Sequence, residues 1–163
     1  MGQFVSLAVN AIQDEEAIVL VTPSDHLVSP ITDYQACLSQ AIALASTQDK
    51  IFLFGITPTA PAISFGYIEL ADAKNGYHDI RCFHEKPDAS TAETYVAQGS
   101  FLWNSGIFCF SKRAFIKEME AIAQQRSNNQ YSLCPKQPLY PAMPSKYPPM
   151  SWPPWTKSAL MWP

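Results

Sequence analysis

Every acidic side chain of this sequence lies between Asp14 and Glu120, and none of the 14 falls in residues 121–163. That closing segment also holds nine of the 14 prolines and three of the four tryptophans, in runs such as Trp152-Pro-Pro-Trp155. Proline removes a backbone donor and clashes with the preceding helical turn, so such a stretch sustains neither a helix nor a central strand. Regular structure is therefore expected over residues 1–125, with 126–163 a Pro/Trp-rich, acid-free tail that is out of frame or disordered. The break also divides the charge: residues 1–120 carry a net −7 and residues 121–163 a net +4.

The body is long enough to bury a hydrophobic core. Its acidity offers no basic field for a nucleic acid. No run approaches the roughly 18 apolar residues of a membrane span, so a membrane partner is not expected either. The start of the chain lacks a basic segment followed by an apolar one, which argues for a cytoplasmic protein. The four cysteines are widely spaced without a Cys-x-x-Cys pair, and read as buried, reduced thiols.

Phe4, Leu7, Ala8, Ala11 and Ile12 recur at helical spacing and predict an amphipathic helix over 3–13. Residues 17–22 form a short β-branched run, the pattern of a buried parallel strand. Ser29 before Pro30 reads as an N-cap and first helical position, opening a helix to about Ser46. Tyr34, Cys37, Leu38, Ala41, Ile42 and Ala45 would be its buried face. Strands follow at 51–57, 65–70 and 79–84, the last two joined through the Asn75-Gly76 turn. Ser90-Thr-Ala-Glu93 reads as a capping box for a helix to about Gly99, followed by a strand over 101–110 and a helix from Lys112 to about Gln124. The order predicts an α/β layered domain with a mixed sheet, in which ligands lie beyond the carboxyl ends of strands.

Candidate functional residues fall at those ends. Asp25 follows the first strand, where a carboxylate suits Mg²⁺ shared with phosphate oxygens. The alternative is that Ser24 or Asp25 caps the next helix, and His26 reads as a structural histidine. Glu85 and Lys86 offer a carboxylate for hydroxyls and a cation for phosphate, with Pro87 expected to hold Lys86 extended. They could equally form a surface ion pair worth little. Asn104 and Gly106 interrupt an apolar strand, either as a plain β-bulge or to let backbone and amide approach a ligand. Gly66 is an ordinary strand glycine or a place where a sugar ring meets bare backbone. Trp103 reads as core.

Taken in order, four segments resemble the mannose-1-phosphate guanylyltransferase (GDP-mannose pyrophosphorylase) family, in its bacterial form often fused to a mannose-6-phosphate isomerase domain. They are Val19-Leu-Val-Thr-Pro-Ser-Asp-His26, Phe54-Gly-Ile-Thr-Pro-Thr-Ala-Pro61 with Phe65-Gly-Tyr-Ile68, Phe83-His-Glu-Lys-Pro-Asp88, and Phe101-Leu-Trp-Asn-Ser-Gly-Ile-Phe108. The resemblance implies a Rossmann-like nucleotidyltransferase domain, truncated at its N-terminus, and the conversion of GTP and mannose 1-phosphate to GDP-mannose and pyrophosphate. It further implies that Asp25 is a catalytic Mg²⁺ ligand, that Gly66, Glu85 and Asn104 hold the mannose, and that Lys86 is a catalytic residue on its phosphate. The family's Gly-rich phosphate loop and its second metal-binding aspartate have no counterpart here, so impaired turnover is expected. The alternatives are another sugar-phosphate nucleotidyltransferase, a non-catalytic sugar-phosphate-binding remnant, and a fragment too poorly edged to fold. Homo-oligomerisation is left open.

Overall fold

The computed structural model describes residues 2–127 and 158–162. Helix α1 (Gly2–Ala11) precedes strand β1 (Ile18–Val21), helix α2 (Ile31–Thr47) and strand β2 (Phe52–Ile56). Strands β3 (Tyr67–Lys74) and β4 (Tyr77–His84) form a hairpin, then come α3 (Ala89–Gln98), β5 (Phe101–Ser111) and α4 (Lys112–Ser127). This is the expected element order. A further strand, β6 (Ser158–Trp162), lies in the tail and pairs in the middle of the sheet. The expectation that the tail is out of frame or disordered falls mainly on residues 128–157, which lie outside the described residues. No helix among the described residues is long and apolar enough to cross a membrane.

The six strands are ordered β1-β5-β2-β6-β4-β3, with an additional pairing of β5 to β3. The sheet is mixed as expected, but among the described residues its one parallel pairing is β2 with β6. β1 is not the buried parallel strand its β-branched run suggested. It pairs antiparallel with β5 at the end of the sheet order, and three of its four residues are only half-buried while Leu20 is exposed. A short apolar run fixes strand propensity but not the direction of its partner.

Strand alternation distributes the core. Phe52, Phe54, Ile107 and Cys109 meet Cys37, Ala41 and Ala45 of α2 on one face. Ile51 and Phe110 meet Val9 of α1 and Phe115 of α4 on the other. The two faces differ from the predicted stripes in detail. Ile42 of α2 is exposed. In α1 the contact runs through Val5 and Val9, one turn apart, while Leu7 and Ala8 are exposed. α2 begins at Ile31 with Pro30 in the cap position and no side-chain cap, so Ser29 does not act as the N-cap. For α3 the cap is Asp88, whose carboxylate accepts from the Thr91 amide at 2.8 Å; Ser90 lies inside the helix. Gly99, in the left-handed region at φ +67°, closes it.

Between Phe108 and Asn104, β5 advances four residues while β2 advances only from Leu53 to Gly55. The excess forms a bulge, turned by Gly106 at φ +73°. The Ser105 hydroxyl staples it. Ser105 Oγ donates to the Phe54 carbonyl at 2.6 Å and accepts from the Ile107 amide at 3.1 Å.

Cys37 and Cys109 are free and buried, and burial pushes both thiols up to about 11. Cys82 departs from the reduced state expected of all four, because it is disulfide-bonded. Two outcomes follow from these placements. Iodoacetamide at about pH 8 should leave Cys37 and Cys109 unmodified in the native protein and alkylate them in denaturant, as read by mass spectrometry. Ser105→Ala orphans a buried carbonyl and a buried amide, each worth about 1–3 kcal/mol, and should lower the free energy of unfolding by at least the smaller of those amounts in a urea titration.

Candidate functional site

The bulge in β5 opens the sheet. On the edge away from β2, β1 pairs opposite residues 108–111 and β3 opposite residues 101–103. Both run antiparallel to β5, so the carboxyl end of β1 faces the amino end of β3 across residues 104–107. The carboxyl end of β4 joins them there, because His84 is the partner of Tyr67 at the start of β3. Three strand ends therefore meet over a stretch of β5 whose own ladder is interrupted.

Gly66 and Asn104 are bonded across this opening, the Asn104 amide donating to the Gly66 carbonyl at 2.8 Å. The Asn104 side chain turns back, its Oδ1 accepting from the Gly106 amide at 2.9 Å. That bond fixes which end of the carboxamide is spent, and the Nδ2 donors are the end left for a ligand. The bulge and ligand-approach readings of Asn-Ser-Gly are thus compatible: the bulge orients the amide.

Glu85 adjoins Gly66. A β-carbon built on Gly66 would stand 3.3 Å from Glu85 Oε2 and 2.7 Å from Phe83 Cζ. The bare backbone here is a steric requirement, so the ordinary strand-glycine reading is insufficient. Lys86 lies beside Glu85, its Nζ 3.7 Å from Oε1, with 64% of the lysine side chain exposed. An ion pair that open contributes little stability. Contrary to the expected extended conformation, Lys86 has φ +41°, the one described non-glycine residue with positive φ. A side chain in that region costs about 1–3 kcal/mol, and such residues gather where structure around them imposes the strain.

Asp25 stands apart. It is exposed in the loop after β1, six residues before α2, so it does not cap that helix. It makes no hydrogen bond or ion pair to the other four residues among the described contacts. The loop approaches the bulge through Pro23, whose Cγ would lie 3.5 Å from a β-carbon on Gly106.

A second network lies beneath Glu85 and Lys86 and was not singled out in the sequence. His84 is buried, with Nε2 3.1 Å from Glu69 Oε2 and Nδ1 3.1 Å from the Tyr95 hydroxyl of α3. Glu69 also accepts from Arg81 at 3.2 Å. Ligand atoms of Glu69, Cys82 and His84 lie within 4.8 Å of one another. The disulfide removes the Cys82 thiolate, however, and a sulfur ligand is the wrong chemistry for Mg²⁺. A lone histidine three residues before a proline carries no sequence signal for such a network, since its partners lie 15 residues upstream and 11 downstream.

Residues 3–147 match the profile of the nucleotidyl transferase family. The chain belongs to that family. It is 41% identical over 104 residues to the xanthan biosynthesis protein XanB of Xanthomonas campestris pv. campestris, covering 64% of this chain and 22% of XanB. It is 38% identical over 107 residues to the mannose-1-phosphate guanylyltransferase of Sinorhizobium fredii, covering 65% of this chain and 21% of that protein. The chain thus spans about a fifth of the length of these relatives. Among solved structures, a Helicobacter pylori mannose-6-phosphate isomerase superposes with a TM-score of 0.66 at 33% identity, over 77% of this chain and 47% of that one.

The opening over β5 is where three strand ends meet, and it brings Gly66, Glu85 and Asn104 together with Lys86 beside Glu85. Gly66→Ala tests how tightly this corner is set. The added methyl forces the buried Phe83 ring or Glu85 to move, so the variant should lose about 1–3 kcal/mol in a denaturant titration. An unchanged unfolding free energy would show that the corner yields freely.

Proposed function

We propose that this chain carries the sugar-phosphate half of a mannose-1-phosphate guanylyltransferase site. The observation that carries the reading is the convergence of Gly66, Glu85 and Asn104 at the split in the sheet, with the Lys86 ammonium on the adjoining residue. A carboxylate accepts from vicinal hydroxyls, an amide donates to them, and bare glycine backbone lets a pyranose ring approach. Lys86 supplies a point charge for the phosphate. The name of the Sinorhizobium relative supports mannose 1-phosphate as the ligand and GTP as the co-substrate.

In the proposed reaction a phosphate oxygen of the bound sugar attacks the α-phosphorus of GTP. The bond to the β-phosphate bridging oxygen breaks, and pyrophosphate leaves with the electron pair. Glu85 and Asn104 orient the mannose, and Lys86 holds the attacking phosphate in line. No covalent enzyme intermediate is required, so catalysis rests on positioning and charge. Asp25 fits a divalent ion by its donor chemistry, a single exposed carboxylate at a strand end able to share the ion with substrate phosphates. Mg²⁺ bound there would neutralise charge on the departing pyrophosphate. A cytoplasmic site of action accords with GTP as substrate.

The test is ligand binding to the chain as it stands. Mannose 1-phosphate should raise the melting temperature and give a saturable calorimetric isotherm, more tightly than mannose or inorganic phosphate alone. Lys86→Ala should weaken mannose 1-phosphate by about tenfold or more, the scale of one charge-assisted hydrogen bond, while leaving the affinity for mannose unchanged. Absence of binding by mannose 1-phosphate at millimolar concentration would overturn the proposal.

A further inference from the structure

The segment Glu85-Lys86-Pro87 is a short bridge between two anchored points. Downstream, Asp88 caps α3 through the Thr91 amide, and that bond holds its carboxyl below the usual carboxylate value. Upstream, His84 is fastened on both ring nitrogens, to Glu69 of β3 and to Tyr95 of α3. A carboxylate only accepts, so Nε2 carries the proton toward Glu69; in the neutral ring Nδ1 then accepts from the Tyr95 hydroxyl. The imidazole is also packed against Tyr95 at 5.0 Å and Phe101 at 5.6 Å between ring centroids, and Tyr95 stacks on Phe101 at 4.0 Å. The contact from His84 to Tyr95 ties the end of β4 to the same helix that Asp88 begins. The chain from 84 to 95 is thereby closed into a loop, and within it Lys86 sits at φ +41°.

We propose that His84 is a positioning residue for the sugar-phosphate site: its clamp between Glu69 and Tyr95 holds the strained Glu85-Lys86 pair in the conformation that meets the ligand. This rests on the mannose 1-phosphate reading given above. A left-handed lysine ahead of proline relaxes when one end of the bridge is released. The imidazole itself touches no substrate, and it acts through the backbone it anchors. The charged groups around it are Glu69 from β3, with Arg81 on that carboxylate, and Glu85 and Lys86 in its own chain; α3 contributes the Tyr95 phenol.

Two variants separate positioning from mere stability. His84→Phe keeps a ring against Tyr95 and Phe101 and removes both hydrogen bonds; Tyr95→Phe removes a single hydroxyl and is the gentler change. Backbone ¹⁵N order parameters at Glu85 and Lys86 should fall from the rigid range near ~0.85 toward ~0.6 in both variants. Affinity for mannose 1-phosphate by calorimetry should drop about fivefold to tenfold. Adding Lys86→Ala to His84→Phe should weaken binding by much less than Lys86→Ala does alone, because the two act on one interaction. Lower melting temperatures with unchanged order parameters, unchanged affinity of the folded protein and additive effects would overturn the proposal. If the unaltered chain fails to bind mannose 1-phosphate while the variants still loosen residues 85 and 86, the clamp stands and the sugar-phosphate reading falls. If neither binding nor order changes, both fall.

Discussion

The Ser105 staple is the constraint on which the rest of this structure depends. A continuous ladder along β5 would leave one unbroken edge with room for a single neighbour. The surplus residues between Asn104 and Phe108 instead divide that edge, so that β1 takes one portion and β3 the other. The division survives because the polar groups released by the irregularity are satisfied locally. Ser105 Oγ serves the Phe54 carbonyl and the Ile107 amide, and Asn104 Oδ1 serves the Gly106 amide. Buried groups left unpaired would each penalise the bulge by an amount comparable to the hydrogen bond lost, which would favour a regular strand and close the opening.

The opening alone does not define a recognition surface; its walls need fixed side chains. The three elements that converge there differ in how they achieve this. Asn104 is fixed by its own bulge. Gly66 is fixed by the backbone bond to Asn104 and by the Phe83 ring that occupies the space of its missing side chain. Glu85 and Lys86 lie past the end of β4, where ladder bonds no longer hold them, and their order comes from the buried histidine before them and the helix cap after them. Strain at Lys86 is tolerable because both ends are tied to α3, His84 through Tyr95 and Asp88 through the Thr91 amide.

What the sequence made legible follows from which forces are local. Element order was readable because helical and strand periodicities, Asn75-Gly76 and Gly99 act over a few residues. Pairing partners were not, since β1 carries the same β-branched residues whether its neighbour runs parallel or antiparallel. The α1 stripe read from Leu7 and Ala8 missed the turn that packs, because only the docked neighbours select Val5 and Val9. Capping was misplaced by competition among neighbouring candidates: Asp88 and Ser90 both suit an N-cap, and the aspartate wins with the helix starting two residues earlier. Gly66, Glu85 and Asn104 stood out in the sequence because glycine, charge and amide are out of character in apolar strands, and the fold brings them near one another. Lys86 stood out for the same reason, but its backbone was misjudged: Pro87 was expected to hold it extended, and it adopts φ +41°. Nothing local marks His84 itself.

Asp25 shows what remains separable in this architecture. Its loop approaches the bulge through Pro23, near Gly106, whereas Glu85 and Lys86 follow His84, which is bonded to Glu69 of β3 and Tyr95 of α3. Among the described contacts, the β5 bulge is a support near both sets. A ligand whose hydroxyls and phosphate meet the second set can therefore be gripped without any change at Asp25. In the proposed reading, coupling between the sugar-phosphate half and an ion held at Asp25 would pass through the Asn104–Gly106 bulge or through a bridging phosphate. In an in-line phosphoryl transfer the bridging phosphate is the reacting group. Under that proposal, the separation of the two halves means that they would become mutually positioned only when both substrates are present.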